Sequence, residues 1–284
     1  MDTAVVWFRG DLRLTDNPTL SDAAEAADRI LPVYVFDPRR RRESEYGPSK
    51  TASHRERFRL EAIEDLRSSF RDLGGELVLR EGPPDGIVAD LAKTVDADAV
   101  FAQTTPATEE RALEANLKRE LRADIDFERR WTHTLYHPDD LPTPPTSIDD
   151  TFTPWRQSVE SAAEPPRPIA APDSVDVFED VDPGEIPTLN QLGVEAPTDD
   201  DRAVLRFEGG ETAGKQRVSE YLWKGDYLRE YKETRNGLLG ANYSSKLSPW
   251  LAMGCLSPRW VYREVNRYED ARIANEDTYW LVFE

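Results

Sequence analysis

Cysteine is nearly absent, with Cys255 alone among 284 residues. A single thiol closes no internal disulfide, which excludes a disulfide-stapled secreted domain and points to a reducing compartment. Long apolar runs are also missing. The longest, such as Ala4 to Phe8, fall far below the roughly 20 residues a spanning helix needs, so no membrane segment is expected. No basic stretch precedes an apolar one at the start of the chain, so no secretory signal is expected and the reading is a soluble, cytoplasmic protein. Histidine is scarce too. His54, His133 and His137 have no cysteine or carboxylate in register with them, and no metal site is expected.

Basic residues are outnumbered, 36 Lys and Arg against 55 Asp and Glu, for a net charge of −19. The deficit is regional: residues 201–284 hold 13 of each sign, and residues 1–200 hold 23 basic against 42 acidic. Within the latter, residues 136–200 carry 2 basic and 15 acidic residues and 12 of the 21 prolines. That composition packs poorly and reads as an extended linker over 136–201. The remaining acidity reads as a solvating surface or as a docking face for a basic partner. Any contact with nucleic acid is expected in the neutral C-terminal segment.

What is present is a core. Seven Trp, ten Tyr and ten Phe exclude wholesale disorder. Over residues 1–135, β-branched and aromatic runs at Ala4–Phe8, Ile30–Phe36, Glu76–Arg80, Ala99–Gln103 and Ile125–Trp131 alternate with helical patterns. The clearest helix is Ser53–Leu73, where Phe58, Ala62, Ile63, Leu66, Phe70 and Leu73 fall on one stripe; Ile87–Val95 and Thr108–Leu121 behave similarly. Five strands alternating with helices predict an α/β fold with a doubly wound, parallel five-stranded sheet. Residues 202–284 switch to helices alone. Ser248-Pro249 and Ser257-Pro258 each predict a capping hydroxyl and a helix start, and Gly209-Gly210 precedes a helix to about Lys224. The final segment, opening at Asn275, is apolar on every side through Phe283 with no stop signal, which predicts a buried helix and a chain truncated at its C-terminus.

The first strand does not run into G-x-G-x-x-G. It is followed by Arg9-Gly10-Asp11-Leu12-Arg13, which disfavours a dinucleotide site of the familiar kind and leaves either a structural ion-pair network or a ligand contact. Ser244, Ser245 and Ser248 place three hydroxyls within five residues, beside a predicted helix start. The arrangement suits either local capping or an anionic phosphate.

Two ordered motifs carry a resemblance. Val5-Val6-Trp7-Phe8-Arg9-Gly10-Asp11-Leu12-Arg13-Leu14-Thr15-Asp16-Asn17-Pro18 resembles the opening of the photolyase/cryptochrome family. Tyr231-Lys232-Glu233-Thr234-Arg235-Asn236-Gly237-Leu238-Leu239-Gly240, leading into Tyr243-Ser244-Ser245-Lys246-Leu247-Ser248-Pro249-Trp250, resembles its cryptochrome DASH branch. The likeness covers about 1–135 and 202–284. It implies an α/β antenna domain over 1–135 and the first part of a helical FAD-binding domain over 202–284.

The resemblance further implies that Tyr231, Ser244, Ser245, Lys246, Leu247 and Ser248 hold FAD, and that Glu110 contacts an antenna folate of the methenyltetrahydrofolate type. Arg235 and Glu284 match positions that meet damaged DNA, single-stranded in the DASH branch. Each has a plainer alternative: a helix cap, an exposed carboxylate, a solvated charge, or a chain end without fixed geometry. Two departures stand out. The family motif more often opens with threonine where Ser244 stands, and Lys246 replaces a frequent arginine, which keeps the charge and loses the planar fork. The tryptophans Trp223, Trp250, Trp260 and Trp280 read as core packing. The implied activity is blue-light repair of cyclobutane pyrimidine dimers by a monomer, with a light sensor lacking repair and an inactive remnant as the rival readings.

Overall fold

The computed structural model describes every residue except 44–46, 48, 149, 177, 179, 199, 201, 273–277, 279 and 282–284. Strands β1 (Thr3–Phe8), β2 (Arg29–Phe36), β3 (Val78–Glu81), β4 (Ala99–Gln103) and β5 (Asp126–Arg130) form one parallel sheet in the order β3-β2-β1-β4-β5. Helices α1 (Pro18–Ala26), α2 (Ser53–Asp72), α3 (Pro84–Thr94) and α4 (Thr108–Glu120) connect them. Central strands covered on both faces have no solvent side, which is why β1 reads as an unbroken apolar run. Its Ala4, Val6 and Phe8 pack with α1 and α2, while Val5 and Trp7 face α3 and α4.

Asn17 caps α1 by accepting the Leu20 amide at 3.2 Å, with Pro18 in the first turn. The stripe read on α2 is buried as a unit from Phe58 to Phe70. The acidic segment is less extended than its composition suggests. It contains α5 (Phe152–Ala162), and it lies on the sheet unit through Asp176 O accepting from Ile30 N and Pro183 O accepting from Leu79 N, both at 2.8 Å. The second contact occupies part of the free edge of β3.

Beyond the acidic segment come α6 (Glu211–Val218), a π-helical turn (Ser219–Lys224), α7 (Tyr231–Thr234), α8 (Ser248–Ala252) and α9 (Pro258–Arg272). The single helix expected from Gly210 to Lys224 therefore changes hydrogen-bond pattern after Val218. Ser257 caps α9 as expected, its hydroxyl accepting from Arg259 N at 3.1 Å. Ser248 does not cap α8. Leu247 already has helical dihedrals, so Ser248 is the first helical residue and its hydroxyl makes no cap hydrogen bond. In the final segment the expected start at Asn275 lies outside the described residues; Thr278 is helical and buried, and Trp280 and Leu281 pack half-buried on the core. That core is continuous: Tyr221, Leu222, Trp250 and Tyr268 join the cluster containing β1, α1 and α2. Among the described residues no helix is long and apolar enough to cross a membrane.

Candidate functional site

Doubly wound sheets leave a ligand crevice where strand order reverses, here between the ends of β1 and β4. The protein fills it with its own atoms. Arg9 pairs with Glu114 at 2.9 Å and donates to Gln103 O. Arg13 is 1% exposed and donates to the carbonyl oxygens of Asp16, Thr132 and Gly254. Gly254 sits so close that a Cβ there would lie 2.0 Å from Gly10 O. Burial pushes the Asp11 carboxyl up, against the pull of the Arg9 amide and Arg13. The motif after β1 is thus a structural network that seats the helical region on the sheet.

A second glycine contact sets α6 in place. A Cβ on Gly209 would meet Phe58 O at 2.0 Å, so only glycine lets the chain touch α2 there. Glu61 accepts Gly209 N at 2.8 Å, and the Glu211 carboxylate accepts Leu14 N at 2.7 Å and Thr15 N at 3.3 Å. Nearly two turns further along α6 stands Arg217, which the sequence reading missed.

Arg217 is 5% exposed and organises the loop that carries the candidate hydroxyls. Its Nε donates to Ser245 O at 2.9 Å, Nη1 to Asn242 Oδ1 at 3.0 Å, and Nη2 to Ala241 O at 2.8 Å and Ser244 O at 3.4 Å. Its guanidinium also lies 5.2 Å from the centre of the Tyr221 ring. Lys246 follows in the left-handed region at φ 59°, turning the chain into buried Leu247 and the start of α8. Buried Trp250 anchors that side by donating to Glu208 O at 2.9 Å and packing on Phe58 and Phe207. The loop is held at one end by Arg217, mostly through main-chain oxygens, and at the other by the Trp250 side chain. Its side-chain groups are left over: among the described residues, the hydroxyls of Ser244, Ser245 and Ser248 and the amine of Lys246 have no hydrogen-bond partner. Ser244, Ser245 and Lys246 are half-buried and Ser248 is exposed.

Tyr231, the first residue of α7, is buried close to Tyr221, and burial together with the Tyr221 phenol raises its pKa. The Tyr221 hydroxyl is fully buried with no partner, and burial pushes its pKa up strongly. Arg235 stacks its guanidinium on the Trp280 ring at 4.5 Å. Glu284 lies outside the described residues.

None of the loop residues lines the cavity in which Glu110 stands. Glu110 lines a cleft of about 420 Å³ between α2 and α4, facing Arg40, Arg55, Arg59 and Lys50. Lys50 pairs with neighbouring Glu109, whereas burial and the charges of Arg59 and Arg40 lower the pKa of Arg55. Arginines and a lysine share the cleft with the carboxylates of Asp37, Glu109 and Glu110. The structure therefore brings Tyr231 and Ser244–Ser248 into one region, places Glu110 in a separate cleft, and packs Arg235 on an indole.

The parallel sheet with its buried β1 terminus and the helical region seated on it define a photolyase-type architecture, and the comparisons agree. The model of the DNA photolyase family matches residues 4–173, more than half the chain, and the chain belongs to that family. Its relatives lie in the cryptochrome DASH branch: it is 64% identical to Cryptochrome DASH of Natronomonas pharaonis, covering 100% of this chain and 60% of the relative, and 44% identical to that of Gloeobacter violaceus, covering 99% and 57%. A Synechocystis cryptochrome superposes with a TM-score of 0.95 at 38% identity, covering 100% of this chain and 59% of that one. An archaeal photolyase from Sulfolobus tokodaii, solved with two FAD molecules, shares the fold at a TM-score of 0.71 and 20% identity. The chain spans about 60% of the length of the first two relatives.

Proposed function

We propose that this chain is the antenna-binding and flavin-phosphate-binding portion of a blue-light flavoprotein that repairs cyclobutane pyrimidine dimers in single-stranded DNA. One observation carries the reading: Arg217 holds the loop by the main-chain oxygens of Ala241, Ser244 and Ser245, while the hydroxyls of Ser244, Ser245 and Ser248 and the Lys246 amine have no partner among the described residues. A loop with that donor set fits the diphosphate of FAD, and Tyr231 adds a phenol beside it. The chemistry that FAD supplies when bound is light-driven transfer of an electron to the dimer and its return after the ring opens. The chain's own part is to bind and orient. A flipped-out or single-stranded dimer costs less to extract than paired bases, which supports a single-stranded substrate. Glu110 and the arginines that share its cleft support an antenna of folate type, whose ring donors suit a carboxylate and whose acidic tail suits arginine.

The test begins with colour. Protein equilibrated with FAD and freed of excess flavin is expected to retain a visible flavin spectrum, and Ser244→Ala combined with Ser245→Ala is expected to weaken binding, each lost bond to a charged group counting for about 1.5–3 kcal/mol. A colourless wild-type protein contradicts the flavin reading and supports an inactive remnant. Irradiating the flavin-loaded protein with an oligonucleotide containing a thymine dimer separates repair from sensing. Dimers left intact at full flavin occupancy contradict repair and favour a photoreceptor.

A further inference from the structure

The donors of Arg217 all point at the loop rather than at open space, and this separates its role from that of the serines. Four hydrogen bonds tie one guanidinium to Ala241 O, Asn242 Oδ1, Ser244 O and Ser245 O. The residue is 5% exposed and lies over Tyr221 in the π-helical turn. Such turns concentrate at functional sites. An arginine held this way does not touch a ligand on the loop. It fixes the conformation in which the ligand finds the hydroxyls, and a loop ordered beforehand does not have to be ordered on binding.

We propose that Arg217 is the positioning residue of the flavin-phosphate loop, acting through the planar fork of its guanidinium on the loop's main chain. The proposal rests on the flavin reading above and adds the device that makes the loop competent. The fork is what matters: three of the four acceptors are main-chain oxygens spread over residues 241–245, which a single ammonium on a flexible stem does not span. By freeing the serines from any duty in holding the loop, Arg217 leaves their hydroxyls for the ligand.

The test is FAD affinity in a mutant cycle. Arg217→Lys, which keeps the charge, is expected to lose at least about tenfold in affinity, and Arg217→Met a similar factor. Ser244→Ala with Ser245→Ala lowers affinity on its own. Added to Arg217→Met, it is expected to cause little further loss, because the serines act only when the loop is set. A merely structural arginine gives losses that multiply, and that result overturns the proposal, as does an Arg217→Lys protein within about twofold of wild type. Should the Arg217 variants fail to fold, Asn242→Ala removes the one side-chain acceptor and leaves Arg217 in place. A severalfold loss of FAD affinity then supports the proposal, and unchanged affinity overturns it. The flavin reading fails separately: if the two serine substitutions leave affinity unchanged while Arg217→Lys lowers it, the loop is not the phosphate cradle. A wild-type protein that takes up no FAD overturns both.

Discussion

Gly254 has a φ of +69° and lies against Gly10, so both its backbone and its missing side chain are required. Gly254→Ala is expected to destabilise the protein by more than about 2 kcal/mol, since it combines left-handed strain with a backbone clash; a denaturant melt superimposable on wild type contradicts this. Beside it, Cys255 is fully buried, and burial pushes its thiol up to about 12. That makes it a packed side chain rather than a nucleophile. Arg217 shows where reading by residue type ends. Its partners lie 24 to 28 positions along the chain, so no local pattern announces it. One signal was available: Arg217 stands four residues before Tyr221, on the apolar stripe with Val218 and Leu222, where a surface arginine is out of place.

The strands and long helices were legible because each satisfies a periodicity imposed by burial. β4 was read to its exact ends, Ala99 and Gln103, and α2 to within one residue. Other elements were not. The helix α5 sits in a segment whose charge and proline content masked an amphipathic stretch. The π-helical turn after Val218 places Tyr221 beside the Arg217 guanidinium and has no sequence rule. Ser248 was misplaced by one position because the chain is already helical at Leu247, so leucine rather than serine stands at the cap. The attachment of α6 yields a prediction of its own. The Glu211 carboxylate satisfies the buried Leu14 amide, whereas its partner Lys215 is one-third exposed. Glu211→Ala is expected to cost about 1–3 kcal/mol for the orphaned amide, and Lys215→Ala under about 1 kcal/mol. Equal losses in thermal melts would refute that ranking.

Charge and pH act on the assembled molecule. His133, stacked on Trp131 at 4.3 Å, has its pKa lowered from 6.5 by burial and then by the charge of Arg13, and its Nδ1 is buried without a partner. Above 6.5 the imidazole is neutral folded or unfolded, and its contribution to stability is complete. Below 6.5 the unfolded chain binds the proton first, so stability falls as pH drops toward the lower, folded-state pKa. Between about pH 7.5 and about pH 5.5, wild type is expected to lose more melting temperature than His133→Gln; parallel losses contradict the assignment. The neutral balance of residues 201–284 likewise predicts weak DNA binding by this chain with a shallow dependence on salt, which titrations at several ionic strengths check.

The crevice at the turning point of the sheet, closed by Arg13 and Gly254, has a consequence for how the molecule divides its labour. A sheet of this kind ordinarily works as the bed for a nucleotide. Here it has become an abutment: its most ligand-ready edge bears the weight of the neighbouring helices, and the cleft between α2 and α4 and the serine loop are displaced to its flanks. A fault in that wedge would shift the helices seated on it, and with them the serine loop, relative to the cleft between α2 and α4.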